Sequence, residues 1–393
     1  MEAFLFGGLS PPNKKSLLCE LGVSAVRREF VSMEEAVRAE ALRPPVTSIG
    51  PIGWVRRNLF NGALNSILTV IILLFLGKVV PSLVRWAFID SAWFTSGQAC
   101  RKAAGACWSI ISTNYRFILF GFYPYEEQWR PLLSMGILFG LLLYSRDRTH
   151  WKKPLAYAWI AGLFVMGLLM TGGIFWLKPV ESTQWGGLPL TLLLAVFGLT
   201  AAYPLGVVLA LGRRSKMPAV KVLCIVYIEL IRGVPLISLL FMSSVILPLF
   251  LPEGVTFNKI LRAQVAIILF TAAYIAEVVR GGLQGISRGQ YEAAHSMGLN
   301  YYLTMRLVIL PQALKIVIPP TVSILISAFK DTSLVVIIAL FDLLKTTQTV
   351  LSKPEWMGFS REAYVFVALL YFLGCFSMSN YSRKLEKELS RGT

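Results

Sequence analysis

Charge is scarce in this chain: 15% of its 393 residues are charged against 55% hydrophobic, and the mean hydropathy is +0.64. A soluble domain of this size could not hold that balance in water, which excludes the soluble classes and leaves a polytopic, all-α membrane protein. Histidine is nearly absent, with His150 and His295 alone, and the cysteines Cys19, Cys100, Cys107, Cys224 and Cys375 show neither CxxC nor metal-ligand spacing. Metal chemistry and a disulfide framework are therefore not indicated, although one bridge between Cys100 and Cys107 stays open if their loop faces an oxidising space. HExxH and GxSxG are missing, which argues against a membrane-embedded enzyme and leaves no catalytic residue to name. The GxxxxGK[ST] phosphate loop is missing too, because the Gly77-Lys78 pair runs into Val79 and lacks the upstream glycine. ATP dependence would have to come from another polypeptide, so neither cofactor nor metal is expected in this chain.

The formal charge of +17 would suggest nucleic acid in a soluble protein. Here the basic residues collect between apolar stretches, where membrane topology accounts for them, and no nucleic acid partner is expected. Eight apolar stretches suited to the ~30 Å hydrocarbon layer lie near 63–84, 130–145, 154–177, 188–212, 222–251, 263–285, 313–341 and 364–381. The second is short, and the fifth and seventh are long enough to be tilted or broken. Basic groups follow the second (Arg146, Arg148, Lys152, Lys153), the fourth (Arg213, Arg214, Lys216, Lys221) and the eighth (Arg383, Lys384, Lys387, Arg391). By the positive-inside rule these loops and both termini are cytoplasmic, in a multi-pass membrane protein.

Residues 1–58 read as a cytoplasmic tail of mixed charge, without a removable signal peptide; Met33–Leu42 is either a short helix or part of a solvated extension. Residues 59–187 read as an accessory region with three spans and an aromatic outer loop at 85–129. Residues 188–381 read as a five-helix transport core, with 342–363 as an outer loop in which Lys353-Pro354-Glu355-Trp356 makes a surface turn. Residues 382–393 close the chain as a cytoplasmic tail.

Within the core, one long polar interruption at 286–312 carries QYEAAHSMGLNYYLTMRLVILP from Gln290 to Pro311. Ser287 and Gln290 have capping-box spacing for a short helix through Glu292, Ala293 and Ala294; Gly298 supplies a left-handed stop. Asn300 can cap a second short helix whose end is set by Pro311. Helix, tight turn, helix beside a membrane is a docking shape. Polar groups also sit within the apolar stretches, where they are functional candidates. Glu229 and Arg232 precede Gly233-Val234-Pro235, Glu277 and Arg280 precede Gly281-Gly282, and Lys330-Asp331-Thr332-Ser333 interrupts the seventh stretch. Each Glu/Arg pair is spaced for pairing within its helix, and so either neutralises itself near the inner interface or lines a pathway. Lys330 and Asp331 are adjacent, diverge around a helix and cannot simply cancel; a break there is tolerated only where freed backbone groups line a cavity or are buried in protein.

Glu292-Ala293-Ala294, Gly298, Val308 and Leu310-Pro311, at their spacing, resemble the EAA loop of binding-protein-dependent ABC importer permeases, with Val308 where Ile is more usual. The blocks ELIRGVPL from Glu229, AYIAEVVRGG from Ala273 and KDTSL from Lys330 are similar to those of polar amino acid permeases. With LALGRRS and the long amino-terminal extension, the chain resembles the larger permease subunit of general L-amino acid (Aap/Bzt-type) transporters. That resemblance implies a type I ABC importer core of five helices that moves amino acids into the cytoplasm. It also implies ATPase subunits that hold ATP and Mg, a second related permease subunit, a periplasmic amino acid binding protein and surrounding lipid. Glu292, Ala293, Ala294, Gly298, Leu310 and Pro311 would carry ATPase coupling. An ion-coupled secondary transporter of amino acids or other small polar solutes is the alternative, and it would need no ATPase.

Overall fold

The computed structural model describes residues 50–390 apart from 174, 175, 253, 255 and 256; the Met33–Leu42 segment lies outside the described residues. The chain divides into two compact units, Met1–Val84 and Arg85–Thr393. In the first, α1 (Pro51–Leu59) carries Arg56 and Arg57 in its last turn, and α2 (Ala63–Val84) has no buried side chain. A helix so predominantly apolar and without a buried face is suited to hydrocarbon.

The second unit contains α3 (Ser109–Phe120), α4 (Trp129–Tyr144), α5 (Lys153–Thr171), α6 (Gly187–Arg213), α7 (Pro218–Gly233) and α8 (Leu236–Phe241). It continues with α9 (Lys259–Gln284), α10 (Arg288–Ser296), α11 (Leu310–Asp331), α12 (Leu343–Leu351) and α13 (Ser360–Ser390). Each of the eight apolar stretches contains helix, although the third is helical only to Thr171 and the seventh to Ile338. Among the described residues six helical stretches are long and apolar enough to cross a membrane, and α7 with the extended α8 makes a seventh, bent by 104°. The eighth is α4, whose 16 residues rise about 24 Å and fall short of the hydrocarbon thickness.

The centre of the unit is the α6–α9 pair. Alanines 202, 210, 272 and 276 are fully buried there, and a Cβ added to Gly206 would lie 2.6 Å from Ile275 Cγ2. Small residues let the backbones approach, which is how helices pack where no hydrophobic force drives them together. Ile309, Ala313 and Val317 of the α11 segment close the same cluster.

Residues 85–129 are more than an aromatic loop. Cys100 and Cys107 form a disulfide with Cα atoms 5.6 Å apart, which settles the question that spacing left open. The segment seats on 353–362: Arg101 Nη2 donates to the Pro354 carbonyl at 2.8 Å, the Cys107 amide to Glu362 Oε1 at 3.2 Å, and Lys353 Nζ to Asn114 Oδ1 at 3.3 Å. The turn at 353–356 is therefore not a plain surface turn: Trp356 is 2% exposed and belongs to a core shared with Ile110, Leu343 and Val367. Contacts across some 250 residues leave no trace in local periodicity.

Candidate functional site

The polar interruption folds as helix, turn, helix. Helix α10 presents Glu292 and Ala293 outward and buries Ala294 at 2% exposure. It ends in a Schellman arrangement, with the Gly298 amide donating to the His295 carbonyl at 2.9 Å and the Leu299 amide to the Ala294 carbonyl at 3.2 Å. Gly298 stands at φ +74°, the left-handed region that its lack of a Cβ permits. Asn300 Oδ1 then accepts from the Leu303 amide at 2.9 Å and starts the next turn.

Two details differ from the sequence reading. Ser287 makes no side-chain cap, and the Gln290 carboxamide turns away from the helix start to α11, where its Oε1 accepts from Gln312 Nε2 at 3.0 Å. Pro311 does not end a helix either. Tyr301–Leu303 runs through a π-helical turn at Thr304–Ile309 into α11, and the helix continues through Pro311. Leu310 is half-buried and Pro311 exposed.

Helix α10 is also tied to α6. Tyr291 Oη accepts from Arg214 Nη1 at 3.1 Å and donates to the Leu283 carbonyl at 3.5 Å, with the Arg214 guanidinium 5.8 Å from the Tyr291 ring. Arg213 and Arg214 count only as topology markers in the sequence; their structural use was missed there.

The two Glu/Arg pairs are not independent. Glu229 meets Arg232 at 4.0 Å, and Glu277 takes the Arg280 Nε–H at 3.0 Å along with a closer Nη2 contact. Arg213 joins them, its Nη1 2.9 Å from Glu229 and 3.3 Å from Glu277, and Arg232 Nη1 lies 3.7 Å from Glu277. Three guanidinium groups and two carboxylates thus bind the last turn of α6, the C-terminal part of α7 and α9 into one network carrying a net positive charge. A paired doublet of arginines ending an apolar stretch is the one signal that could have suggested this.

The polar cluster of the seventh stretch stands apart from the network. Helix α11 ends at Asp331, and Thr332–Ile338 continues as 3-10 helix until Ala339 adopts φ +55°. The expected break is therefore a change of winding: Tyr301–Ile338 remains one helical stretch across Lys330–Ser333. Lys330 is exposed and Asp331 half-buried; among the described residues neither closes an ion pair within the chain. Thr332 is buried and donates to the Phe329 carbonyl at 2.7 Å, and Ser333 donates to the Lys330 carbonyl at 2.9 Å. Both hydroxyls are turned back on their own helix and offer less to an open pathway than the sequence suggested.

Sequence reasoning missed a further buried group. Asp342 is fully buried and caps α12, accepting from the Lys345 amide at 2.9 Å and the Leu344 amide at 3.2 Å, with Tyr371 Oη at 3.4 Å. Burial pushes its carboxyl up to about 6 against the opposing pull of those hydrogen bonds.

A multi-pass bundle with a fastened, outward-facing helix between two spans is the form of a membrane transport subunit that works on a separate protein. The family model of the binding-protein-dependent transport system inner membrane component matches residues 202–391. The inner membrane amino-acid ABC transporter permease protein YhdY of Escherichia coli (strain K12) is 48% identical, over 86% of this chain and 93% of that one. The glutamate/glutamine/aspartate/asparagine transport system permease protein BztC of Rhodobacter capsulatus is 40% identical, over 90% and 98%. The probable glutamine permease GlnP of Bacillus subtilis, 34% identical, matches 51% of this chain while 91% of its own length is covered. A solved structure described as an amino acid ABC transporter with histidines is similar at 28% identity over 60% of this chain and 97% of its own, with a TM-score of 0.46. The chain belongs to the binding-protein-dependent transport system inner membrane components. It is a multi-pass inner membrane permease subunit of an ABC importer with the type I core, and its role is transport rather than catalysis. Membership displaces the ion-coupled alternative.

Proposed function

We propose that the chain imports amino acids, receiving them from a periplasmic binding protein and coupling to separate ATPase subunits, which hold ATP and Mg, through Gln290–Pro311. The observation that carries this is the build of α10: Glu292 and Ala293 face outward on a helix fixed to the rest of the chain by buried Ala294, by Gln290 on Gln312 and by Tyr291 on Arg214. A rigid, outward-facing helix can transmit force from a docked partner, whereas a loose loop would absorb it. Gly298 sets its end, and Leu310 and Pro311 lead the return into α11. The substrate class follows the names of the relatives, and the partner permease subunit is taken as a related second chain.

We assign 1–58 and 382–393 to the cytoplasm, 59–187 to an accessory region and 188–381 to the transport core. The substrate pathway is assigned to Lys330 and Asp331, with Thr332 and Ser333 shaping the break, and to the face of the core bearing Glu277, Arg280, Glu229 and Arg232. The decisive experiment is isolation of the tagged chain from native membranes. An ATPase should co-purify and be lost when Gln290–Pro311 is replaced by a flexible linker; retention of the ATPase on the replaced chain overturns the reading.

A further inference from the structure

Neighbouring residues on a helix project about 100° apart, so a doublet of long side chains can reach two different partners. At the end of α6 that divergence is put to use. Arg213 turns to the carboxylates of Glu229 on α7 and Glu277 on α9, while Arg214 turns to the Leu283 carbonyl at 3.4 Å and the hydroxyl of Tyr291 on α10. The last turn of α6 favours cations, since its free carbonyls carry partial negative charge. It is also packed too closely to yield on its own: a Cβ on Gly212 would lie 2.5 Å from Cys224 Sγ on α7. Glu229 and Arg232 lie in the last turns of α7, just ahead of the Val234-Pro235 break where the chain bends by 104° between Pro218–Gly233 and Leu236–Phe250. Arg214 is thus one of the ties that a displacement of α10 would load, and Arg213 links the same end of α6 to the arm of a bent span.

We propose that Arg213 and Arg214 are positioning residues forming a two-way hub, by which docking of a partner on α10 sets the angle of the α7–α8 bend. The inference rests on the docking role proposed above. It assigns to the doublet a function beyond membrane orientation, and it places Tyr291, the residue before Glu292, in the coupling path as the contact that Arg214 reads. Spatial continuity alone does not establish coupling, so the hub is defined by an energetic test.

The importer is isolated on the tagged chain, reconstituted in proteoliposomes and supplied with its binding protein and a radiolabelled mixture of L-amino acids. Three quantities are read: ATPase co-purification, the ratio of stimulated to unstimulated ATP hydrolysis, and uptake. Arg213→Gln and Arg214→Gln should each keep the ATPase bound yet lower the stimulation ratio by at least about fivefold, the lower end of ordinary coupling free energies. Tyr291→Phe keeps the ring and removes the hydroxyl, and it should lower the ratio in the same direction if Arg214→Gln proves too disruptive to assemble. Because the residues act in series, the Arg213→Gln/Arg214→Gln double variant should be little worse than the poorer single variant. Arg213→Lys, which keeps charge but offers a single point donor in place of the fork, should recover part of the loss. Full stimulation and uptake in both glutamine variants, or strictly additive losses, would each overturn the hub. Absence of any ATPase from the unaltered chain would instead sink the docking role itself, and the hub with it.

Discussion

At Gly298 the polypeptide needs φ +74°, and an added Cβ there would meet nothing within 4 Å. Alanine is thus penalised only by conformation, by about 1–2 kcal/mol, and Gly298→Ala should reduce coupling mildly. Proline cannot reach that φ at all and removes the amide that donates to His295. Gly298→Pro should leave the chain inserted in the membrane while abolishing ATPase-driven uptake, and Glu292→Lys should do the same by reversing an exposed charge where a partner is expected. Normal uptake with normal ATPase stimulation in both variants would contradict the docking role. Asp342 makes a different kind of prediction. Its carboxyl is raised by burial to about 6, so the folded state prefers the protonated form. The stabilising contribution is complete below the unfolded value near 4, fades as pH rises through about 6, and spans up to about 3 kcal/mol. Asp342→Asn keeps an oxygen for the Lys345 amide and has no proton to lose. In detergent, the melting temperature of the unaltered protein relative to Asp342→Asn should rise as pH is lowered from 7 to 5; a pH-independent difference would show that Asp342 stays ionised.

At the scale of elements, the sequence was a good guide wherever one residue type commands the local backbone. Asn300 caps, Gly298 turns left-handed, and the helix of the seventh stretch changes character at Asp331–Thr332, as their chemistry requires. It misled where a side chain had a choice of partners or a helix had a choice of hydrogen-bond pattern. Gln290 preferred Gln312 over its own helix start, and the π turn before Leu310 carried the helix through Pro311. It was silent on contacts between distant elements: Arg213 bridging α7 and α9, or Cys107 seated on Glu362 at the start of α13. The break after α11 is the element on which substrate handling can be tested. Lys330 and Asp331 present opposite charges to different sides with no ion pair in the described chain, as a zwitterion's carboxylate and ammonium would require. Lys330→Ala and Asp331→Ala should each lower uptake roughly tenfold, the effect of ~1.4 kcal/mol, in complexes that still bind their ATPase. The exchange Lys330→Asp/Asp331→Lys should not restore transport; if it does, the pair holds structure together and does not face substrate with that polarity.

At the scale of the whole molecule, relatives such as GlnP match about half of this chain, while YhdY and BztC match most of it, so the added length belongs to a subset of the family. Residues 85–129, outside the 202–391 that the family model matches, lie on the 353–362 segment and are closed by the Cys100–Cys107 bond. Disulfides persist in oxidising compartments, which supports placing this cap on the periplasmic side. With the cap placed there, α4 would lead inward to Arg146–Lys153, the side on which the charge rule expects these residues. The orientation can be tested in a background carrying Cys19→Ser, Cys224→Ser and Cys375→Ser. A cysteine introduced at Thr149 should react with a membrane-impermeant maleimide only after the cells are opened, and one introduced at Lys259 should react in intact cells. Cys100 and Cys107 should become reactive from outside only after reduction. Labelling of the Thr149 site in intact cells would reverse the orientation of α4 and α5, and protection of the Lys259 site would bring the α8–α9 connection inside. In that second case α9 would deliver α10 to the periplasm, where no ATPase could meet Glu292, and the docking role could not stand whatever the loop's geometry.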